Sequence, residues 1–438
     1  MIKKFTFVFF LTLISQLISI FSISFIVKKN ASSSFIEFVS MLDSSYVLIN
    51  TILSFGIIQI ATREIVVVNN WKKVVENTQN IRITFSFVLF VLGLTLYFLT
   101  DNLYFFTFTL SPLLALNINY LFYAIEKSET ATINSSIRLF IISIPLIFIG
   151  EFQCFSIKIY FVFFVLGLAY VAFSSNLASK VNVKITLISS FYKDYFKNFG
   201  VGITDLAIIF LEFGILFIAA FFYKSVIISN AYILIKIITL IKGFQRMIFQ
   251  VFYNQLIEKK IAYFLDQIIF FVGFSFFLIS FFFSEELLML LYSKKDVVLQ
   301  NNLIIFSLAL LQASILLASM ARTLIIKNDK VYIKSYILSL IFSITTLMFL
   351  SLTKFKIYGV AISLLVGEII LFISFIINIY KDIYLDKYLI NLFKYIILFS
   401  VYYLFSRIFE TQIAFFTIIF FQISLALAFI FRNKKVIL

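Results

Sequence analysis

The sequence predicts an all-α polytopic membrane protein of about fourteen transmembrane helices, with twelve as the smaller count. Three observations carry that prediction. Of 438 residues, 62% are hydrophobic and only 13% charged, whereas soluble domains carry about 25% charged and about 45–50% apolar residues. Apolar runs near the roughly 20 residues that a bilayer crossing needs recur along the whole chain between short polar clusters. Finally, with the N-terminus assigned to the cytoplasm, about 25 of the 36 lysines and arginines fall on that side and about nine on the other. That is the bias of cytoplasmic loops, and one missed crossing would reverse it from there onward.

The runs follow in order. The first, 5–27, comes directly after Lys3 and Lys4. At about 23 residues it exceeds the roughly 7–15 of a signal-peptide core, and no Ala-x-Ala site follows, so it reads as a helix that stays. The second, 38–60, closes at Arg63. The third, 83–99, follows Lys72, Lys73 and Arg82, which are assigned to the cytoplasmic loop. The fourth, 103–125, holds Pro112 and ends at Lys127. The fifth, 131–149, holds Pro145 and also Arg138, which is expected to snorkel to the cytoplasmic interface. The sixth, 159–178, lies between Lys158 and Lys180. After a polar stretch come 199–222, then 226–250 beyond Lys224, 264–283 beyond Lys259 and Lys260, and 299–326 between Lys295 and Lys327. The last four are 331–352, 358–380, 388–406, which holds Lys394, and 413–431, which ends before Arg432, Lys434 and Lys435. Both termini are expected in the cytoplasm.

Composition also excludes chemistries. There is no His and one Cys, Cys154, so no disulfide, no metal site of the usual nitrogen and sulfur ligands, and no Ser/His or Cys/His nucleophile is expected. No Walker motif is present. The chain is not expected to be an enzyme or to need a cofactor. Its formal charge of +15 is distributed between apolar spans rather than clustered on one soluble face, which argues against a nucleic-acid partner.

The longest polar stretch near the middle, 179–198, repeats Ile185, Ile188, Tyr192, Tyr195 and Phe196 at helical spacing against Lys184, Lys193, Asp194 and Lys197. It reads as an interfacial helix on the anionic inner leaflet. The expected organisation is a six-helix lobe 1–178, this linker 179–198, a second six-helix lobe 199–380, and an extra helix pair 381–438. An internal echo at an offset of about 200 links Ile125, Lys127, Ile133 and Ser135 to Ile325, Lys327, Ile333 and Ser335. Duplication explains it, and so does the tendency of charges to collect in cytoplasmic loops.

Ionisable residues inside a membrane are costly and mark function by default. The spans place Asp43, Asp205, Glu212, Lys236, Lys242, Arg246 and Glu368 there. Asp205 and Glu212 are seven apart, hence on one face of a regular α-helix. They could line a polar cavity with Lys236 and Lys242, or Glu212 could pair with Lys236 as structural glue. Arg63 at the helix end Gly56–Arg63 is either a topology signal or a cation at a cavity mouth, with Gly56 on the same face permitting close packing. The two prolines both fall in the first half, whereas ion sites built from unwound helices need interruptions in paired positions of the two halves. Continuous helices and rocking of one lobe against the other are therefore expected.

The lysine-rich N-terminus, the fourteen helices in 6 + 6 + 2 order, the basic linker and the Gly56–Arg63 helix end resemble the polysaccharide transporters of the multidrug/oligosaccharidyl-lipid/polysaccharide exporter superfamily, and among them the O-antigen flippases. The resemblance covers the whole chain in layout and rests on no diagnostic motif. It implies movement of an undecaprenyl-pyrophosphate-linked oligosaccharide across the bacterial inner membrane by alternating access. A diphosphate requires cations, which Arg63, Lys236, Lys242, Arg246 and Arg322 could supply. Asp205, Glu212, Glu368 and Asp43 are the candidates for coupling to Na+ or H+, and Asn50, Thr51 and Gln245 offer polar walls for sugars. The partners expected are the lipid-linked oligosaccharide and membrane lipids, with the protein a monomer. A lipid II flippase and a cation-coupled drug exporter of the same superfamily share this layout. A membrane glycosyltransferase or polymerase would need a larger catalytic loop than any here.

Overall fold

The computed structural model describes residues 2–58, 61, 65, 71–125, 127–181, 199–251, 256, 258–325, 329–379, 395, 399–400 and 403–404. Arg63, most of the 179–198 stretch, and the thirteenth and fourteenth spans apart from a few isolated positions lie outside the described residues, as does the Arg246 side chain. Every regular element among the described residues is helical, and eleven helices are long and apolar enough to cross a membrane.

In the first half these are α1 (Ile2–Lys28), α2 (Ser33–Ser54) and α3 (Trp71–Thr100). The fourth span is the shorter α4 (Leu103–Ala115), which contains a 3₁₀ turn at Thr107–Leu110, followed by α5 (Asn119–Ala124). Next come α6 (Ser128–Glu151) and α7 (Ile157–Ser179). The seventh span is α8 (Phe199–Ile209), a π turn at Phe210–Gly214, and α9 (Ile215–Ala219). Then follow α10 (Ser225–Val251), α11 (Lys259–Phe282), α12 (Ser284–Tyr292), α13 (Val297–Ser314), α14 (Leu317–Ile325), α15 (Asp329–Ser351) and α16 (Gly359–Ile379).

Helix ends follow from local chemistry. Ser32 accepts from the Phe35 N–H at 3.3 Å to start α2, and Asp296 accepts from Val298 N at 2.8 Å to start α13, each meeting a first-turn donor that has no intrahelical partner. The second helix stops at Ser54, short of the expected residue 60, because Phe55 (φ 30°) and Gly56 (φ 77°) take left-handed conformations. Hydroxyls inside the helices bond back to their own turn, as Thr51 Oγ1 does to Val47 O at 2.9 Å, so they need no outside partner in an apolar medium.

Packing divides the chain into two compact units, Met1–Lys236 and Ile237–Leu438. In the first, α7 shows the logic of the faces. Tyr160, Phe164, Gly167, Leu168, Val171 and Ser175 are buried, while Val162, Leu166, Phe173 and Leu177 are exposed. An apolar outward face suits lipid, which is as apolar as the side chains it meets.

In the second unit, α11 and α13 approach closely at Gly273. A Cβ there would overlap the Ser314 hydroxyl, which receives the Gln245 Nε2 proton at 2.6 Å. Gln245 is thereby packed rather than available as a cavity wall. Gly273→Val is expected to lower stability by about 1–3 kcal/mol through overpacking. Gly243→Ala, where a Cβ meets nothing within 4 Å, should leave thermal melting in detergent unchanged or raise it slightly, since alanine favours a helix.

Candidate functional site

Continuous helices were expected; besides the Phe55–Gly56 turn in the second span, the structure overturns this at three further places. The fourth span breaks at Leu116–Ile118, the tenth at Ile315–Leu316, and the seventh carries its π turn. Proline alone does not report such breaks. The signal lies in buried charges on neighbouring helices that replace the lost backbone partners.

At the first break, Arg82 of α3 is 1% exposed. Its Nη2 donates to Leu114 O at 3.0 Å, and its Nη1 donates to Asn117 O. Gln79 Oε1 at 3.1 Å and Asn50 Oδ1 at 3.4 Å complete its acceptors. Leu116 O receives Asn176 Nδ2 at 2.6 Å, and Ile118 N donates to Ser175 Oγ at 3.1 Å. A cation thus meets the carbonyl end of α4, where the helix dipole is negative. At the second break, Asp266 of α11 is 0% exposed. Its carboxylate accepts from Ala318 N at 2.7 Å, from Ser319 N at 3.2 Å, and from the Ser319 hydroxyl. An anion meets the N-terminal end of α14, again the favourable sign.

Neither residue was identified as a site candidate. Arg82 was placed in a cytoplasmic loop because the apolar run begins at residue 83, yet its helix starts a further three turns back, at Trp71. Asp266 was taken as part of an apolar run. Arg138 lies ten residues into α6, about 15 Å along it, with its stem against Gly167 and its guanidinium 4.1 Å from the centre of the Tyr46 ring.

The polar residues of the first unit converge on α2. Around its middle the half-buried positions Asp43, Tyr46, Val47, Asn50 and Ser54 are spaced as one helical stripe, with Ile52 half-buried off it, while Leu42, Leu48, Ile49 and Leu53 are buried. The stripe is mostly polar, the reverse of the lipid-suited face of α7. Three successive turns of it each meet a cation. Asp43 Oδ2 lies 2.6 Å from Lys236 Nζ of α10 and accepts from Tyr232 OH at 2.6 Å. Tyr46 underlies Arg138, and Asn50 meets Arg82. Lys236 also lies 5.4 Å from the Phe213 ring and 3.4 Å from Ser19 Oγ.

The other sequence candidates fall elsewhere. Lys242 pairs with Glu368 at 3.1 Å within the second unit, where the lysine is 16% and the carboxylate 6% exposed. Arg322 is half-buried in the last turn of α14. Asp205 and Glu212 are half-buried on the seventh span. Glu212 sits inside the π turn with non-helical backbone (φ −131°, ψ −114°), so the seven-residue spacing no longer puts both acids on one face.

No protein-family model and no curated protein matches this sequence. Solved structures do. A lipid II flippase MurJ in an inward closed conformation is 16% identical, covers 98% of this chain and 99% of its own, and superposes with a TM-score of 0.71. This chain has a MurJ-like fold. An inward-facing multidrug resistance MATE family transporter of the MOP superfamily is 12% identical over 84% of this chain and 98% of its own, with a TM-score of 0.62. At these identities the likeness to MurJ and MATE structures shows a shared polytopic helical fold.

Proposed function

We propose that the chain is a flippase that carries an isoprenoid-diphosphate-linked oligosaccharide, such as an O-antigen or similar surface-polysaccharide repeat unit, across the bacterial inner membrane by alternating access. The single observation that carries this is the stripe on α2. Asp43 offsets Lys236, and the guanidiniums of Arg138 and Arg82 add positive charge that the stripe itself does not balance. A drug cation would be repelled there, whereas a diphosphate supplies charge and strong acceptors. Asn50 and Tyr46 give sugar hydroxyls polar and aromatic partners. In this reading the second unit's Lys242–Glu368 pair, with Asp205, Glu212 and Asp43, provides the sites for coupling to Na+ or H+. Arg63, Arg246 and Arg322 add cations along the path. The protein acts as a monomer with both termini in the cytoplasm.

The fold gives one rival weight. A lipid II flippase would handle the same diphosphate with a different sugar, and the MurJ likeness is to a protein so named. Deletion of the gene followed by analysis of lipid-linked sugars separates the two. The expected result is accumulation of a lipid-linked oligosaccharide on the cytoplasmic leaflet. Accumulation of peptidoglycan precursor selects the rival, and no accumulation of either refutes flipping.

A further inference from the structure

The three cations on the α2 stripe are not equivalent. Arg82 already spends its guanidinium on Leu114 O, Asn117 O, Gln79 and Asn50. Lys236 is held 2.6 Å from a carboxylate. Arg138 differs from both: its one close partner among the described residues is the face of the Tyr46 ring, which attracts the charge of a guanidinium but accepts none of its five N–H donors in their plane. An arginine ten residues inside a membrane helix, half-buried and with its planar fork unfilled, has a large unmet demand for oxygen acceptors.

Resting on the flippase reading, we propose that Arg138, levelled on the Tyr46 ring, is the phosphoryl clamp of the first unit: it takes two oxygens of the cargo's diphosphate in a bidentate pair. The geometry is suited to this. With its Cζ 4.1 Å from the centre of the Tyr46 ring, the guanidinium is attracted by the ring face, which accepts none of the in-plane N–H donors that a fork–fork contact uses. The stem lies against Gly167, where an added Cβ would sit 3.4 Å from Arg138 Cγ. Tyr46 is then a positioning residue. A lysine at 138 would keep the charge but not the fork.

The same phosphoryl chemistry occurs in two places, the cargo diphosphate and the headgroup of an anionic phospholipid, and the test separates them. The full chain, purified into nanodiscs of neutral phosphatidylcholine, would be titrated with fluorescent farnesyl diphosphate. Wild type should bind it, with Arg138→Gln about 30-fold weaker and Arg138→Lys about fivefold weaker. Tyr46→Phe should match wild type, because the ring is retained, whereas Tyr46→Leu should weaken binding about fivefold. Phosphatidylglycerol added to the discs should not displace the probe. Displacement at comparable concentration would assign the fork to a lipid headgroup and overturn the proposal. So would wild-type binding by Arg138→Gln, or absence of binding by wild type. Should Arg138→Gln fail to fold, the lysine variant decides, since equal binding by lysine and arginine excludes a fork. The gene deletion tests the flippase reading separately: lipid-linked oligosaccharide accumulating in the deletion strain, together with wild-type probe binding by purified Arg138→Gln, would sink the clamp alone.

Discussion

Replacing Arg82 with alanine should nearly eliminate folded protein from the membrane, and replacing Asp266 with alanine should do the same. Each side chain is fully enclosed and holds the ends of a helix interruption. Removing Arg82 strands the carbonyls of Leu114 and Asn117 in a medium without water, and each unsatisfied backbone group there is expensive. Truncating one partner of a buried charged network costs about 3–5 kcal/mol, a large part of the roughly 5–15 kcal/mol that stabilises a typical fold. Arg82→Lys should recover part of the loss by reaching one carbonyl, and Asp266→Asn should recover more than Asp266→Ala, since one acceptor oxygen remains for Ala318 N. The check is the melting temperature and monodispersity of detergent-solubilised protein. Wild-type melting of Arg82→Ala would mean that the break is held by Ser175 and Asn176 alone.

These two residues also mark where sequence reasoning ended. Membrane helices are legible because a bilayer demands long apolar runs, and the eleven long helices fall where the runs lie. The interruptions are hard to read in sequence: Ile315 and Leu316 are apolar throughout, and at 116–118 a single Asn117 sits between Leu116 and Ile118 inside an otherwise apolar run. Only a polar residue on a neighbouring helix betrays the loss of backbone partners, and a hydropathy boundary hid Arg82 by one position. The two breaks, at 116–118 and 315–316, are separated by the same offset of about 200 as the sequence echo, and both are met from the preceding long helix. Paired interruptions were the feature that the uneven prolines had argued against. The candidate site was partly legible for a similar reason. Asp43 and Lys236 were both visible as intramembrane charges, but nothing in one dimension joins positions 193 residues apart in sequence, and the α2 stripe emerges only when its neighbours from α3, α6 and α10 are in place.

The second large effect is expected at that pair, and its double-mutant cycle distinguishes a structural bridge from a working one. Asp43→Ala leaves the Lys236 ammonium half-enclosed, with Ser19 and two aromatic rings as its remaining neighbours. A charge stripped of its partner in a low-dielectric site is strongly destabilising, so both abundance and export should fall. Lys236→Met should strand Asp43 with the Tyr232 hydroxyl at 2.6 Å and lower both as well. The double variant Asp43→Ala/Lys236→Met removes both charges together and should return abundance close to wild type, since a buried ion pair is commonly replaceable by apolar groups without loss of stability. Export is the discriminating measurement. If the pair serves the cargo, surface polysaccharide stays absent in the double variant although the protein is present in normal amount. If surface polysaccharide recovers along with abundance, the pair is only a brace between α2 and α10, and the cargo reading of the stripe loses Lys236.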